Sequence, residues 1–141
     1  MEQRYSVSVL IKKLALIFHQ FNPLLVYFFG SAYREKMGPL SDIDLAVLWP
    51  REVNVPMIES LNLQNEIQQL LQDKRFEVGC LNGQNLSFCH NVISTGTLIY
   101  GKKEDQVAYE TDILSRYLDF SYFAEEYNRS FDQRTMRGSN G

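Results

Sequence analysis

The sequence has little that could cross-link it or hold it in a membrane. It contains only two cysteines, Cys80 and Cys89, and their spacing matches no C-x-x-C metal or redox motif. Its longest apolar run, residues 24–29, is far shorter than the roughly 18 residues that a membrane span needs. The first ten residues lack the basic-then-apolar layout of a secretory signal. These absences favour a cytoplasmic protein with reduced, buried thiols.

The sequence also lacks an excess of positive charge. Its formal net charge is −3, so bulk attraction to nucleic acid is not expected, and we predict no direct nucleic-acid substrate. A chain of 141 residues with 45% apolar residues is large enough to bury one core. We therefore predict a single domain over residues 1–128, followed by a polar and flexible tail over residues 129–141 that ends in Gly-Ser-Asn-Gly.

Hydrophobic periodicity predicts four helices that alternate with four strands in an α+β domain. Apolar residues at intervals of three and four indicate helices over residues 6–21, 56–72, 84–94 and 104–128. Apolar runs indicate buried strands over residues 24–29 and 43–49, and two further stretches, residues 75–81 and 98–100, are predicted as the third and fourth strands. Between the first two strands lies a polar loop over residues 30–41. This order places two neighbouring strands on either side of the polar loop.

Two aspartates, Asp42 and Asp44, open the second strand. Residues two apart on a strand point to the same face, so their carboxylates aim in one direction. Like charges so close raise one of the two pKa values, and a divalent cation such as Mg²⁺ relieves that repulsion while using the oxygens as ligands. A solvated pair of aspartates at a strand end, which accepts hydrogen bonds from loop N–H groups, is the alternative that this pair alone leaves open.

The residues just upstream favour a site for phosphate. Gly30 and Ser31 follow directly on the first buried strand. Glycine lets the backbone approach a phosphate closely, and a serine at the start of a helical turn adds a hydroxyl donor. A Gly-Ser turn and an Asp-x-Asp pair on two successive strands supply a phosphate cradle and a metal site, which are the parts that nucleotidyl transfer needs.

The stretch GSAYREKMGPLSDIDLAVLW resembles the signature of the polymerase-β-like nucleotidyltransferase superfamily. Its short loop and the small size of the chain resemble the minimal nucleotidyltransferases, the MNT or MntA-like antitoxins encoded beside HEPN-domain toxins. The resemblance implies that Asp42, Asp44 and a later carboxylate, here Glu77 in Phe-Glu-Val-Gly, hold two Mg²⁺ ions and carry the catalysis. It also implies that ATP binds at Gly30, Ser31, Arg34 and Ser41.

The same resemblance implies a protein acceptor. The expected activity is transfer of AMP from ATP to a tyrosine hydroxyl of a cognate HEPN RNase toxin, within a hetero-oligomer. Two alternatives stay open: an antitoxin with an idle site that acts by contact alone, and a nucleotidyltransferase for a small molecule such as an aminoglycoside.

The last predicted helix carries a broad apolar arc. Its aromatic row consists of Tyr109, Ile113, Tyr117, Phe120, Ala124 and Tyr127. An arc this wide has to be covered, either by a partner protein or a second copy of the chain, or by the helix packing into its own domain. The sequence does not separate these two interpretations.

Overall fold

A computed structural model describes residues 5–29 and 42–139 of the chain. The elements follow in the order predicted, with boundaries that differ by one or two residues except at the C-terminus. The helices are α1 (Val7–Phe21), α2 (Pro56–Leu71), α3 (Leu86–Thr95) and α4 (Lys103–Ser139). The strands are β1 (Leu25–Phe29), β2 (Ile43–Leu48), β3 (Phe76–Cys80) and β4 (Thr97–Gly101).

The four strands form one mixed sheet in the order β3-β2-β1-β4. β1 pairs antiparallel with both β2 and β4, whereas β2 and β3 run parallel because α2 carries the chain back between them. The predicted α+β fold is therefore confirmed. The topology places β2, with its two aspartates, at the centre of the sheet between the strand that precedes the polar loop and the strand that carries Glu77.

Helices cover both faces of the sheet. Alternate strand residues such as Val26 and Leu45 pack with α1 and α2 on one face, while Tyr27 and Ala46 pack with α3 and α4 on the other. The two cysteines are free and buried, and they lie in these two separate cores, Cys80 with α1 and α2 and Cys89 with α3 and α4. Both thiols act as small apolar side chains, as predicted.

Local signals in the sequence explain where most helices begin and end. The side chain of Ser6 accepts a hydrogen bond from the Val9 N–H and caps the start of α1. Asn22 ends that helix in the left-handed conformation, just before a proline. Pro56 lies in the first turn of α2, and Asn85 caps α3 through the Phe88 N–H.

The final helix is longer than the sequence predicted. α4 continues to Ser139 instead of ending at about Asn128. Residues 103–137 contain neither glycine nor proline, so nothing local stops the helix there. That the segment after residue 128 is flexible in solution stays a prediction. Despite its length α4 is polar, and none of the described helices is both long and apolar enough to cross a membrane.

Candidate active site

The sheet register brings two of the predicted carboxylates side by side. Asp44 lies in the central strand β2, opposite Phe29 of β1 on one side and Glu77 of β3 on the other. Register neighbours on adjacent strands are about 4.8 Å apart along the hydrogen-bonding direction and project to the same face. Asp42 precedes the strand by one residue and shares the side of Asp44 by alternation. All three acidic groups therefore belong to one end of one sheet face.

The three acidic residues lie on the face of the sheet that α3 covers. Phe29, in register with Asp44, makes an edge contact with Phe88 of α3, with ring centroids 5.9 Å apart. A Cβ built on Gly79, two residues after Glu77, would lie 3.8 Å from the end of the same Phe88 ring. The strand register thus places Asp44 beside Phe29, whose ring packs against Phe88 of α3.

The electrostatics of Asp44 reflect this crowding. Its side chain is half-buried, whereas Asp42 and Glu77 are exposed. Burial raises the pKa of the Asp44 carboxyl, and the neighbouring charges of Glu77 and then Asp42 raise it further. The protein concentrates negative charge at this point, and a bound cation would relieve it.

The donor chemistry fits a hard divalent cation. Carboxylate oxygens are the ligands that Mg²⁺ prefers, and Asp42, Asp44 and Glu77 supply them from two adjacent strands. Within residues 5–29 and 42–139, however, no three His, Cys, Asp or Glu side chains converge into a preformed metal cage. The fit therefore rests on the type of ligand and on the strand register, not on finished coordination geometry.

Two glutamines of α2 hold the strand that carries Glu77. β3 is an edge strand, and its outward backbone groups would otherwise lack partners. Gln64 Oε1 accepts a hydrogen bond from the Val78 N–H at 2.9 Å, and Gln68 Nε2 donates to the Phe76 carbonyl at 2.8 Å. These two bonds bracket Glu77 in sequence. Sequence reasoning missed both glutamines; their only signal is a spacing of four beside the buried residues Leu63 and Ile67.

Gly96 packs closely against the end of β1, the strand that precedes the predicted nucleotide-binding residues. A Cβ added at Gly96, between α3 and β4, would come within 2.6 Å of the Val92 carbonyl oxygen and 3.2 Å of the Phe28 carbonyl oxygen. Glycine is needed here because the turn packs directly on the backbone of β1. The close packing of Gly96 therefore involves the last residues of β1, directly before the predicted phosphate-binding residues.

The predicted nucleotide-binding residues Gly30, Ser31, Arg34 and Ser41 lie outside the described residues. The structure begins again at Asp42, the first of the two aspartates. Their assignment to ATP therefore stays a prediction.

A mixed sheet that presents Asp-x-Asp at the start of one strand, with a third carboxylate beside it, offers the ligands that metal-assisted nucleotidyl transfer uses. The family model "Polymerase beta, Nucleotidyltransferase" matches residues 12–105, which are 94 of the 141 residues. The chain belongs to this family, and the resemblance seen in the sequence is confirmed at that level. No curated protein matches the sequence.

Several solved structures with the same fold come from toxin–antitoxin complexes. A chain from a crystal structure of a toxin–antitoxin with AMP-PNP has a TM-score of 0.70 and 20% identity, covering 85% of this chain and 96% of that one. A chain from a tri-AMPylated Shewanella oneidensis HEPN toxin in complex with an MNT antitoxin has a TM-score of 0.67 and 19% identity, covering 89% and 98%. At these identities the likeness establishes the fold, which is the one expected for a minimal nucleotidyltransferase.

Proposed function

We propose that this protein is a cytoplasmic antitoxin nucleotidyltransferase. It transfers AMP from ATP to a tyrosine hydroxyl of a cognate HEPN RNase toxin and thereby neutralises the toxin. The observation that carries this proposal is the register of Asp44 with Glu77 on the neighbouring strand, with Asp42 two residues upstream. Burial raises the pKa of the Asp44 carboxyl, and the charges of Glu77 and Asp42 raise it further. Membership of the nucleotidyltransferase family supports the reaction type. The AMPylated HEPN toxin found with a structural neighbour supports the acceptor.

The proposed site residues form two groups, one for magnesium and one for ATP. Asp42 and Asp44, with Glu77, hold magnesium, which when bound neutralises phosphate charge and favours attack at phosphorus. Gly30 and Ser31, with Arg34 and Ser41, bind the phosphates of ATP. Because two carboxylates project from one strand and the third from its parallel neighbour, the ligands are set by backbone register. Catalysis then depends on positioning and charge neutralisation, which a small domain can supply.

The proposed step is an in-line substitution at the α-phosphorus of ATP. The tyrosine oxygen of the toxin forms a bond to that phosphorus, and the bond to the bridging oxygen of pyrophosphate breaks. Pyrophosphate leaves with the electron pair, while the phenolic proton passes to a carboxylate or to water. Glu77 is exposed, so it is available either to accept this proton or to complete the metal site.

The proposal is tested by incubating the chain with ATP labelled at the α-phosphate, Mg²⁺ and the HEPN-domain protein encoded beside it. We expect labelled AMP on a tyrosine of that protein, identified by mass spectrometry, and no label after chelation with EDTA. The double variant Asp42→Asn with Asp44→Asn should lower the rate at least about 100-fold, because metal-assisted charge stabilisation contributes several kcal/mol. Glu66→Gln, an exposed acid on α2, is the matched control and should transfer AMP normally.

The two roles of Glu77 give different results in the same assay. If Glu77 binds magnesium, Glu77→Gln should raise the Mg²⁺ concentration needed for half-maximal rate. If it accepts the proton, the variant should instead lose the acidic limb of the pH–rate profile at saturating Mg²⁺. Absence of labelled AMP on any protein acceptor, with wild-type chain and intact complex, would contradict the proposed activity.

One observation favours a second candidate function, an antitoxin that acts by contact alone. Helix α4 exposes large apolar side chains on which a partner could dock. The double aspartate variant separates the two candidates in cells. If it still neutralises the toxin fully, contact alone is sufficient for protection.

A further inference from the structure

Helix α4 begins against the domain and extends beyond it. The Tyr27 hydroxyl donates a 2.7 Å hydrogen bond to Glu110 Oε2 and ties the first part of α4 to the sheet. Farther along, the Tyr117 ring stacks on His90 of α3, with ring centroids 3.7 Å apart and nearly parallel planes. After Tyr117 the described apolar side chains of α4 are mostly exposed to solvent. The helix thus has a packed proximal part and a distal part outside the domain.

The apolar side chains of α4 follow a coiled-coil spacing. Intervals of three and four residues link a row that we call the α4 seam. It consists of four apolar residues and one arginine: Ile113, Arg116, Phe120, Phe123 and Tyr127. Such a row stays on one side of a helix and packs against a second helix. Ile113 is buried in the domain, whereas Phe120, Phe123 and Tyr127 are 58%, 68% and 71% exposed. The face that is covered at its proximal end therefore continues uncovered along the distal part.

The α4 seam lies beyond the part of the chain that the family model matches. The family match ends at residue 105, within the first turn of α4. Ile113 and the residues that follow lie beyond it. Exposed aromatic rings in a row cost solubility, and they mark binding sites more often than they serve the fold. The chemistry of the family does not account for this row.

Charge along the seam indicates which kind of helix fits it. Asp112, Asp119 and Glu126 each precede a seam residue and recur every seven residues, so they form an acidic flank along one side. A second copy laid antiparallel would place this flank against its own counterpart, and like charges there repel. A second copy laid parallel would place it against the column of Tyr117 and Ala124, which carries no charge. Neither arrangement complements the flank.

Two of these acids already have exposed partners on the same helix. Asp112 pairs with Arg116 at 3.0 Å, and Glu126 pairs with Arg129 at 3.4 Å. Surface pairs of this kind contribute little stability, so a cation from a partner can replace them without a large loss. The acidic flank therefore remains available for recognition.

We propose that the α4 seam binds an amphipathic helix of a different protein, with an apolar seam of its own and a row of Lys or Arg beside it. Phe120, Phe123 and Tyr127 pack into that apolar seam, while the partner's cations face Asp119 and Glu126. The inference rests on the proposed function only for the identity of the partner, which would be the AMP acceptor. The surface itself is defined by α4.

Two synthetic helical peptides of about four heptads test the surface directly. Both carry the same leucine seam, one with Lys and the other with Glu at the flanking positions. Fluorescence anisotropy with the full chain should show that the Lys peptide binds at least tenfold more tightly than the Glu peptide. Asp119→Lys with Glu126→Lys should remove this preference. Equal binding of the two peptides, or binding of neither, would overturn the proposal.

A matched pair of variants locates the binding face. Phe123→Glu should weaken binding of the Lys peptide at least tenfold, because it places a charge in the seam. Tyr122→Glu should change it less than twofold, since Tyr122 is 61% exposed but lies about 100° away around the helix. Equal effects of the two variants would contradict the seam. Sedimentation of the chain alone should show a monomer; a dimer that Phe123→Glu dissociates would identify a second copy as the occupant instead.

These measurements involve no nucleotide. Failure of AMP transfer therefore leaves the peptide result intact, and failure of peptide binding leaves the proposed reaction intact.

Discussion

Two aspartates of this protein respond to their surroundings in opposite ways. Burial and the charges of Glu77 and Asp42 raise the pKa of the Asp44 carboxyl. The pKa of Asp73 is lowered, first by hydrogen bonds from Arg75, whose guanidinium lies 2.8 Å away, and also by the Tyr5 hydroxyl. The first carboxylate is destabilised in its charged form and the second is stabilised. That contrast separates a site prepared for a cation from a structural ion pair.

Asp44→Asn should raise the free energy of unfolding at neutral pH. A raised folded-state pKa means that ionisation of Asp44 costs stability, and this cost grows as the pH rises through the folded pKa. Below the unfolded value of about 4 the carboxyl is protonated in both states, so the variant should match wild type there. Denaturant unfolding in metal-free buffer across this pH range measures the difference. No gain at pH 7 would contradict the described crowding.

Asp73→Asn is the control with the opposite sign. Because the folded pKa of Asp73 is lowered, its contribution is present above the unfolded value and is lost as the pH falls through the folded value. The variant should therefore be less stable than wild type at neutral pH, and the two stabilities should converge in acid. If Asp44→Asn is less stable than wild type and Asp73→Asn is as stable as wild type at neutral pH, both assignments are contradicted.

At the scale of elements, α2 controls the position of the Glu77 strand. β3 has β2 on one side only, and α2 supplies the missing partners through Gln64 and Gln68. Apolar residues of the same helix, Leu63 and Ile67, anchor it in the core. A helix that joins two parallel strands thus also holds the strand on which Glu77, the proposed third site carboxylate, lies in register with Asp44.

Gln64→Leu should loosen β3 beside the site. Loss of the acceptor for the Val78 N–H should cost about 1–3 kcal/mol of stability if the group is left without a partner. AMP transfer should fall more than stability alone explains, because Glu77 loses its register with Asp44. Gln69→Leu, an exposed position on the same helix, is the control and should leave both quantities unchanged. Full activity in a destabilised Gln64→Leu protein would show that Glu77 needs no such support.

At the scale of the whole molecule, a compact catalytic domain carries a long projecting helix. The sheet and its two cores involve residues up to Ile113, while Phe120, Phe123 and Tyr127 extend the helix into solvent. This division agrees with a family match that ends at residue 105. The proposed catalysis and the proposed partner binding can then be changed separately, because they are assigned to different parts of the chain.

Truncation after Asn128 should leave the folded domain intact. We expect the midpoint of thermal unfolding and the rate of AMP transfer to stay at wild-type values, since the core residues of the described part of the chain end at Ile113. Hydrogen exchange in the full chain should show rapid exchange of amides after residue 128, as the predicted flexible tail requires. A marked loss of thermal stability on truncation would place the domain boundary farther along α4.

The sequence allowed correct prediction of the elements whose signals are local. Ser6, Asn22 and Pro56 mark helix boundaries through capping and backbone preferences, and continuous apolar runs mark the buried strands. The predicted end of α4 was wrong, because the polar composition indicated that the helix stops at about Asn128 although no glycine or proline interrupts it there. Sequence reasoning also missed Gln64, Gln68 and Gly96, because their partners lie on elements distant in sequence.

The sequence by itself determined the α+β class, the alternation of strands and helices, and the pair of carboxylates at Asp42 and Asp44, because each depends on residues within a few positions of one another. Only the tertiary structure decided that Glu77 lies beside Asp44, which follows from the parallel register of β2 and β3. It likewise decided which aromatic residues of α4 are covered: Ile113 is buried and Phe123 is exposed. Long-range pairing and burial depend on how distant segments pack, and periodicity along one segment carries no information about that.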